Sequence, residues 1–345
     1  MRVGLLSLGD LVADPVTGVC RSPAERHRNL VEQAVLAEQA GFDSVHLGEH
    51  HACEYILSSP AVVLGAIAER TTRLRLSTGV ALGVNNDPLR LAEDYATVDV
   101  LSGGRAEPVI GRGTFFPHAY AALGQDPRHA KAVFAEHVEI LVRLWTEESV
   151  TWSGLHRAPL EGVQLHPRPV QRDRAPFWIG GGASTESVDL AARLGLGIML
   201  PTVFGTPEMF RPMVDRYLEQ WDLHGHDPAG RRIGCCLHFF VAGSRAEARQ
   251  RWEPRYRAYI EFVNDLVAWS TNGVSNGLGG FDFDRLCATT AVCGSTAEVV
   301  DRLGQLTRLL SLDTVLVMLD MGGMPDAELF GAIERTGAEV LPALR

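Results

Sequence analysis

A carboxylate and two imidazoles stand side by side at the end of GFDSVHLGEHH, residues 41–51. The glycine and the apolar run before them are typical of a turn and a strand, so Glu49, His50 and His51 should follow a strand end. An imidazole can donate or accept a proton near neutral pH, and a neighbouring carboxylate can orient it. Consecutive residues leaving a strand point in different directions. We expect one histidine to face a ligand and favour His50 over His51.

A metal site is the alternative interpretation of EHHACE, residues 49–54, because His, Cys and Glu all bind zinc or iron. A metal centre normally recruits a further ligand from a distant segment. Among the other histidines, H-E-x-x-H spacing is absent, and the H-x-H spacing of His224 and His226 lies far along the chain from this segment. We therefore predict that the protein binds no metal.

A glycine-rich segment further along the chain is suited to an anion. In FWIGGGASTESVDLAARLG, residues 177–195, an apolar run passes through three glycines into a helical pattern. Free N–H groups and the dipole at a helix N-terminus attract phosphate, and hydroxyl side chains can add donors. Helix capping is the alternative explanation of the hydroxyls. The predicted phosphate-binding residues are Gly181, Gly182, Ala183, Ser184 and Thr185.

Two other segments place glycine at a strand end. In GRG, residues 111–113, Arg112 offers a guanidinium fork for phosphate, and the flanking glycines let a ligand approach the backbone. An arginine in a surface turn is the alternative. Gly79 interrupts the strand pattern of LSTGVALGVNNDP, which indicates a bulge, a close approach to a ligand, or a packing glycine.

Eight strand and helix units must position these residues. Apolar runs of strand length alternate with longer segments of helical period, which predicts parallel strands joined by crossover helices. Eight units close into a barrel with its site at the strand C-termini, whereas an open doubly wound sheet usually stops near six strands. The predicted strands are VGLLSL, DSVHLG, RLRLSTGVAL, RAEPVIG, PFWIGG, LGIML, IGCCLHFFVAG and DTVLVML. We predict an α/β fold, a (β/α)8 TIM barrel.

Two insertions interrupt the expected single domain of residues 1–345. Residues of about 148–176 suggest a short hairpin and a proline-rich connector. Residues of about 264–290 are rich in Gly, Asn and Ser and precede an extra helix near 295–309. Long insertions in barrels are often lids. We expect the second insertion to close over the site.

The composition limits the class of protein. The chain is 46% hydrophobic and 21% charged, which is globular, and its net charge of -10 lacks a basic block for nucleic acid or anionic lipid. No run approaches the roughly 20 apolar residues that span a bilayer. Six cysteines without a C-x-x-C pair suggest reduced thiols, and Cys235 and Cys236 should face opposite sides of a strand. We expect a cytoplasmic protein.

Four segments in order resemble the bacterial luciferase-like, flavin-dependent monooxygenase family over nearly the whole chain. They are GFDSVHLGEHH, DPLRLAEDYATVDVLSGGRAEPVIGRG, PFWIGGGASTESVDLAARLGLGIML and VCGSTAEVVDRL. The resemblance implies a barrel, commonly dimeric, that binds reduced FMN. It implies phosphate contacts from Arg112 and residues 181–185, a cis bulge at Gly79 and Val80 beneath the flavin, a catalytic His50, and Glu49 beside the isoalloxazine.

Two positions depart from luciferase itself. Gly111 stands where luciferase carries a cysteine near the flavin, and Asp87 stands where it has histidine. The first removes a side chain from the flavin site and the second changes polarity nearby. These differences argue against light emission from a long-chain aldehyde and leave the general flavin chemistry in place.

The resemblance implies a two-component monooxygenase. A separate reductase would supply reduced FMN, O2 would add as a C4a-peroxyflavin, and one oxygen atom would pass to a small organic substrate in a homodimeric enzyme. No nicotinamide-binding G-x-G-x-x-G is present, which favours a separate reductase. The alternatives are an F420-dependent oxidoreductase of the same barrel family and a non-catalytic flavin-binding subunit. The sequence does not identify the substrate.

Overall fold

The computed structural model describes residues 1–181, 184–275 and 277–345. The strands are β1 (Arg2–Ser7), β2 (Ser44–Leu47), β3 (Arg75–Thr78), β4 (Ala81–Leu82), β5 (Val109–Gly111), β6 (Val150–Trp152), β7 (Leu160–Val163), β8 (Trp178–Gly180), β9 (Gly197–Leu200), β10 (Ile233–Ala242), β11 (Ala291–Ser295) and β12 (Thr314–Asp320). These strands form a parallel sheet and a separate antiparallel hairpin, β6 with β7.

Helices follow the strands of the parallel sheet and cover its outside. The α-helices are α1 (Pro23–Ala40), α2 (Pro60–Arg70), α3 (Pro88–Ser102), α4 (His118–Ala122), α5 (Ala130–Thr146), α6 (Thr185–Arg193), α7 (Arg211–Leu223), α8 (Arg245–Ser270), α9 (Phe283–Thr289), α10 (Thr296–Leu310), α11 (Asp326–Arg335) and α12 (Leu341–Leu344). Among the helices of these ranges, none combines the length and apolar character needed to cross a bilayer.

The parallel strands form a ring in the order β3, β2, β1, β12, β10, β9, β8, β5, β4. Strands β3 and β4 are two parts of one ring position, separated by Gly79 and Val80. A parallel bridge between Leu76 and Ala106 helps to close the ring from β3 to the chain before β5. All ring pairs are parallel, with β11 added beside β10. The predicted (β/α)8 barrel is confirmed.

Capping residues explain where the site's neighbouring helices begin. Ser22 forms a capping box with Glu25 before α1, which ends at Gly41 in the left-handed region, at a φ of 91°. Asp87 caps α3 by accepting from the backbone N–H groups of Leu89 and Arg90. The aspartate that replaces the luciferase histidine therefore begins a helix.

The N-terminal end of the barrel is closed by a buried carboxylate. Glu107 lies 3.1 Å from Arg2 Nη1 and 3.3 Å from Arg232 Nη1. Burial raises the pKa of Glu107, but the attraction of these arginines outweighs it and leaves the pKa lowered. The Arg232 guanidinium also lies over the ring of Trp178, 4.9 Å from its centroid. This polar plug leaves the opposite end of the barrel for a ligand.

The segments expected as insertions contain regular structure. In 148–176, β6 and β7 form an antiparallel hairpin before the connector to β8. Helix α8 continues to Ser270, so the first residues of the 264–290 segment are helical. Helix α9 lies at the end of this segment, and strand β11, which the sequence did not predict, lies between α9 and α10. The extra helix expected near 295–309 is α10.

Candidate active site

A cavity of about 800 Å³ opens at the C-terminal ends of the barrel strands. Its floor includes Leu6 of β1, Met199 of β9, Cys236 of β10 and Leu316 of β12. The loops after β2, β5 and β9 contribute further walls. This volume lies in the upper part of the range for small-molecule sites, which gives room for more than one ligand.

Glycines surround an irregular peptide on one side of the cavity. The bond between Gly79 and Val80 is cis, as the resemblance implied. A Cβ atom on Gly111 would overlap Cγ2 of Val80, and one on Gly180 would overlap Cγ1. A Cβ atom on Gly79 would overlap Leu6. The absence of side chains at these positions therefore lets three strand ends meet around Val80.

Glu49 holds the segment after this peptide in place. Its Oε2 accepts from the backbone N–H of Leu82 at 2.9 Å, and its Oε1 accepts from Asn86 Nδ2 at 2.9 Å. The same Oε1 lies 2.8 Å from His51 Nε2. The side chain is 4% exposed and lines the cavity. With both oxygens bonded, Glu49 fixes the backbone beside the irregular peptide and orients His51.

His50 lines the cavity, and aromatic side chains pack against its imidazole. Its imidazole stacks on Tyr55 with centroids 4.0 Å apart and meets the edge of Phe116 at 5.4 Å. Nδ1 is buried and has no hydrogen-bond partner among the described residues. Burial first, and then the charges of His51 and His118, lowers the pKa of His50 to about 3. The imidazole is therefore neutral at physiological pH and keeps one ring nitrogen available for a ligand.

His51 also lines the cavity, but it is bound into the surrounding structure. Its Nε2 contacts Glu49, and its carbonyl accepts from His118 Nε2 at 2.8 Å. His118 Nδ1 lies 2.7 Å from the hydroxyl of Ser270 at the end of α8. This chain of contacts joins the loops after β2 and β5 to α8. His50 is therefore the imidazole of this group that has fewer hydrogen bonds to the protein among the described residues.

Arg112 reaches the cavity at the end of β5. Its Nε is buried without a hydrogen-bond partner among the described residues, and its carbonyl accepts from the hydroxyl of Tyr120. The tyrosine therefore fixes the backbone of Arg112 while part of the guanidinium stays available. A guanidinium fork with a buried, unused donor is suited to an anionic ligand.

The predicted phosphate segment follows β8, the strand that pairs with β5, and contributes the neighbouring part of the rim. Gly181 and Ser184 line the cavity, whereas Thr185 begins α6, is exposed and does not line it. Ser184 Oγ lies 3.2 Å from Ser187 Oγ, and Ser187 lines the cavity although the sequence did not indicate it. The predictions for Gly182 and Ala183 fall outside the described residues.

Several lining residues were missed from sequence. His238 and Cys236 share one face of β10 because they are two residues apart, whereas Cys235 is buried on the opposite face. Burial lowers the pKa of His238 to about 3, and its Nδ1 lies 2.8 Å from the Tyr256 hydroxyl. The i and i+2 spacing in CCLH was the available signal. Tyr259 reaches the cavity from α8, where periodicity alone does not tell which face meets a ligand.

The cysteine and carboxylates near His50 do not gather into a metal cluster. Within residues 1–181, 184–275 and 277–345, no group of three His, Cys, Asp or Glu side chains could hold a metal ion. Glu49 and His51 contact each other directly. In the described ranges, their arrangement is that of a hydrogen-bonded pair.

A family sequence model and a solved structure both match this chain, and both are described as monooxygenases. The sequence model of the family described as luciferase-like monooxygenase matches residues 1–312. The crystal structure of monooxygenase RslO1 from Streptomyces bottropensis superposes with a TM-score of 0.88 at 28% identity, covering 100% of each chain. The superposition extends across the whole barrel, and the family model ends just before β12.

Curated relatives agree with this assignment. The oxygenase component of flavin-dependent trigonelline monooxygenase from Acinetobacter baylyi is 23% identical over 99% of this chain and 95% of its own length. The 4-hydroxyprotoasukamycin monooxygenase of Streptomyces nodosus subsp. asukaensis is 33% identical over 63% of this chain and 60% of its own length. Proteins named as F420-dependent enzymes also match.

Proposed function

The chain belongs to the luciferase-like monooxygenase family, and we propose that it is the oxygenase component of a two-component, FMN-dependent monooxygenase. It would receive reduced FMN from a separate reductase and use O2 to oxygenate a small organic substrate. A relative named as the oxygenase component of such a system supports the separate reductase. The observation that carries the proposal is the unused donor of Arg112 in a cavity that also presents His50.

The phosphate of FMN would bind between two strand ends. Arg112 offers a charge-assisted donor from the end of β5, and Ser184 and Ser187 offer hydroxyls before and within the first turn of α6. The helix N-terminus adds a favourable dipole. Arg112 is the single Lys or Arg among the described residues that line the cavity. A ligand with one phosphate matches this charge.

The flavin ring fits the glycine-lined side of the cavity. Gly111 and Gly180 have no side chains, and a Cβ atom on either would overlap Val80. A planar ring system would lie along this bare backbone. The replacement of the luciferase cysteine by Gly111 has a local reason, because any side chain there would collide with Val80. The residues present are therefore compatible with FMN.

Reduced FMN, when bound, supplies the electrons that activate O2. The protein's own groups control protons and water. His50 is neutral and can hold a proton at Nδ1 or Nε2, with Tyr55 and Phe116 fixing its ring. Phe115 and Phe116 pack against each other and line the same cavity. Their role would be to exclude water from the reacting groups.

The proposal is tested by mixing anaerobic reduced FMN with the protein and then with O2. We expect the rate and absorbance course of flavin oxidation to depend on protein up to one equivalent of bound flavin. A matched sample with the same amount of serum albumin controls for non-specific effects. Oxidation at the rate seen with albumin would contradict the proposal.

An F420-dependent oxidoreductase is the second candidate, because proteins of that name match the chain. F420 carries carboxylates in addition to its phosphate. The single lining cation, Arg112 in the described ranges, favours FMN over this more anionic cofactor. Parallel anaerobic dialysis against reduced FMN and reduced F420 distinguishes them, and tighter binding of F420 would reverse the assignment.

The homodimer and the cytoplasmic location expected from the sequence stay predictions. Light scattering of the purified protein tests the dimer. A mass equal to that of one 345-residue chain would contradict it.

A further inference from the structure

A continuous row of rings crosses one wall of the cavity. His50 stacks on Tyr55, and Phe116 meets His50 edge-on at 5.4 Å. Phe115 lies 4.8 Å from Phe116 and 4.7 Å from Phe204 of the loop after β9. All five rings line the cavity. We name these five residues the aromatic wall; it runs from the loop after β2 to the loop after β9.

Four methionines make another part of the lining apolar and adaptable. Met199 and Met318 come from strands β9 and β12, and Met209 and Met213 come from the chain after β9. Methionine fills irregular space and makes favourable sulfur contacts with ring edges. A flat ligand on the aromatic wall would therefore also have methionine side chains within the same cavity to adapt to its shape.

The cavity has little charge to offer a substrate. Glu49 and Arg112 are the only Asp, Glu, Lys or Arg side chains among the described lining residues. Both oxygens of Glu49 already accept hydrogen bonds, from Leu82, Asn86 and His51. Under the proposed function, Arg112 is engaged by the phosphate of FMN. A charged substrate would then be buried without a partner, which is costly.

We infer that the substrate is an uncharged, flat aromatic compound held against the aromatic wall. The inference rests on the proposed function, because FMN must first occupy Arg112. Planar rings gain both apolar burial and favourable edge or stacked geometry at such a wall. His50 lines the same space, and its Nδ1, which lacks a partner among the described residues, would hydrogen-bond one hydroxyl or carbonyl group of the ligand. This combination excludes carboxylates, phosphates and flexible saturated chains as preferred substrates.

Three probes of similar size separate charge from aromaticity. Anaerobic equilibrium dialysis of protein saturated with reduced FMN would compare 2-naphthalenemethanol, 2-naphthoate and decahydro-2-naphthalenemethanol. We expect the aromatic alcohol to bind about tenfold more tightly than its saturated counterpart, from about two ring contacts. We expect it to bind more than about 100-fold more tightly than the carboxylate. In FMN-free protein, the carboxylate should gain affinity because Arg112 is then available.

A substitution within the wall gives a second measurement. Phe116→Leu keeps an apolar side chain but removes a ring, so affinity for the aromatic alcohol should fall about fivefold while the saturated alcohol changes less than about twofold. Phe281→Leu is the matched control, because Phe281 packs on Tyr256 outside the cavity lining. It should change neither affinity by more than about twofold.

The outcomes separate this inference from the proposed function. Retained FMN binding with equal affinities for the three probes would overturn the inference alone. An equal loss of both alcohols in Phe116→Leu would also overturn it, since the ring would then act only by filling space. Failure of reduced FMN to bind would overturn the proposed function and, with it, the inference.

Discussion

Replacing Arg112 by alanine tests how the proposed phosphate site works. The Nε of Arg112 is buried without a partner in the described ranges, so a bound phosphate would supply a missing acceptor. A hydrogen bond to a charged group contributes about 1.5 to 3 kcal/mol. At about 1.4 kcal/mol for each factor of ten, Arg112→Ala should weaken FMN binding by roughly 10- to 150-fold.

The phosphate itself provides the internal control. Riboflavin has the same ring and ribityl chain without phosphate, so its affinity should change less than about twofold in Arg112→Ala. Isothermal titration of both ligands with both proteins forms a double-mutant cycle. Arg112→Lys should lie between the two proteins, because lysine keeps the charge but not the guanidinium fork.

A second variant controls for the loss of positive charge near the site. Lys131 is exposed and pairs with Glu186 in the first turn of α6, with Nζ 2.8 Å from Oε1. Lys131→Ala removes the same charge at the surface, where pairs are weak, and should change FMN affinity less than about twofold. Equal losses of FMN and riboflavin in Arg112→Ala would refute the phosphate contact and indicate a general role in the fold.

Three further predictions concern packing, proton control and pH. Gly111→Ala should lower the free energy of unfolding by about 1 to 3 kcal/mol in urea titrations, and adding Val80→Ala should recover most of it; no recovery would place the clash elsewhere. His50→Phe should lower oxygenation by about 100-fold while FMN affinity changes little, and unchanged turnover would remove its proton role. Burial lowers the pKa of His238 to about 3, so below pH 6.5 the unfolded chain binds more protons than the folded chain, and the free energy of unfolding decreases as the pH is lowered. His238→Phe should reduce the loss of unfolding free energy between pH 7.5 and pH 5 by about 2 kcal/mol. An unchanged loss would contradict this.

The fold could be predicted because its signals are local. The apolar runs have strand length, the intervening segments have helical period, and Ser22 and Asp87 mark helix starts by capping. The end of α8 was harder to place. Val263 and Val267 are buried four residues apart, and their packing continues the helix into a segment whose composition suggested a loop. Strand β11 was missed because it is short and directly follows the segment of about 264–290 whose composition suggested a loop.

Site residues could be predicted from sequence where they directly follow a strand. Glu49, His50 and Arg112 follow strand ends and line the cavity, as parallel strands in a barrel require. Directions were not predictable, because they depend on contacts between distant segments. Glu49 is held by Leu82 and Asn86, which the sequence separates from it by more than 30 residues. Those contacts make Glu49 an anchor for the backbone.

The same limit applies to the aromatic wall. Phe116 and Phe204 belong to loops after different strands, and only the closed ring brings them to one cavity. Phe281 is also aromatic, yet it packs outside the cavity lining. Aromatic content alone therefore could not distinguish lining residues from packing residues.

A crystal structure obtained after anaerobic soaking with dithionite-reduced FMN tests the central claim most directly. We expect the phosphate against the guanidinium of Arg112 and the hydroxyls of Ser184 and Ser187, with the flavin ring beside Val80. A cavity without FMN under saturating conditions, or FMN bound with its phosphate away from Arg112, would contradict it.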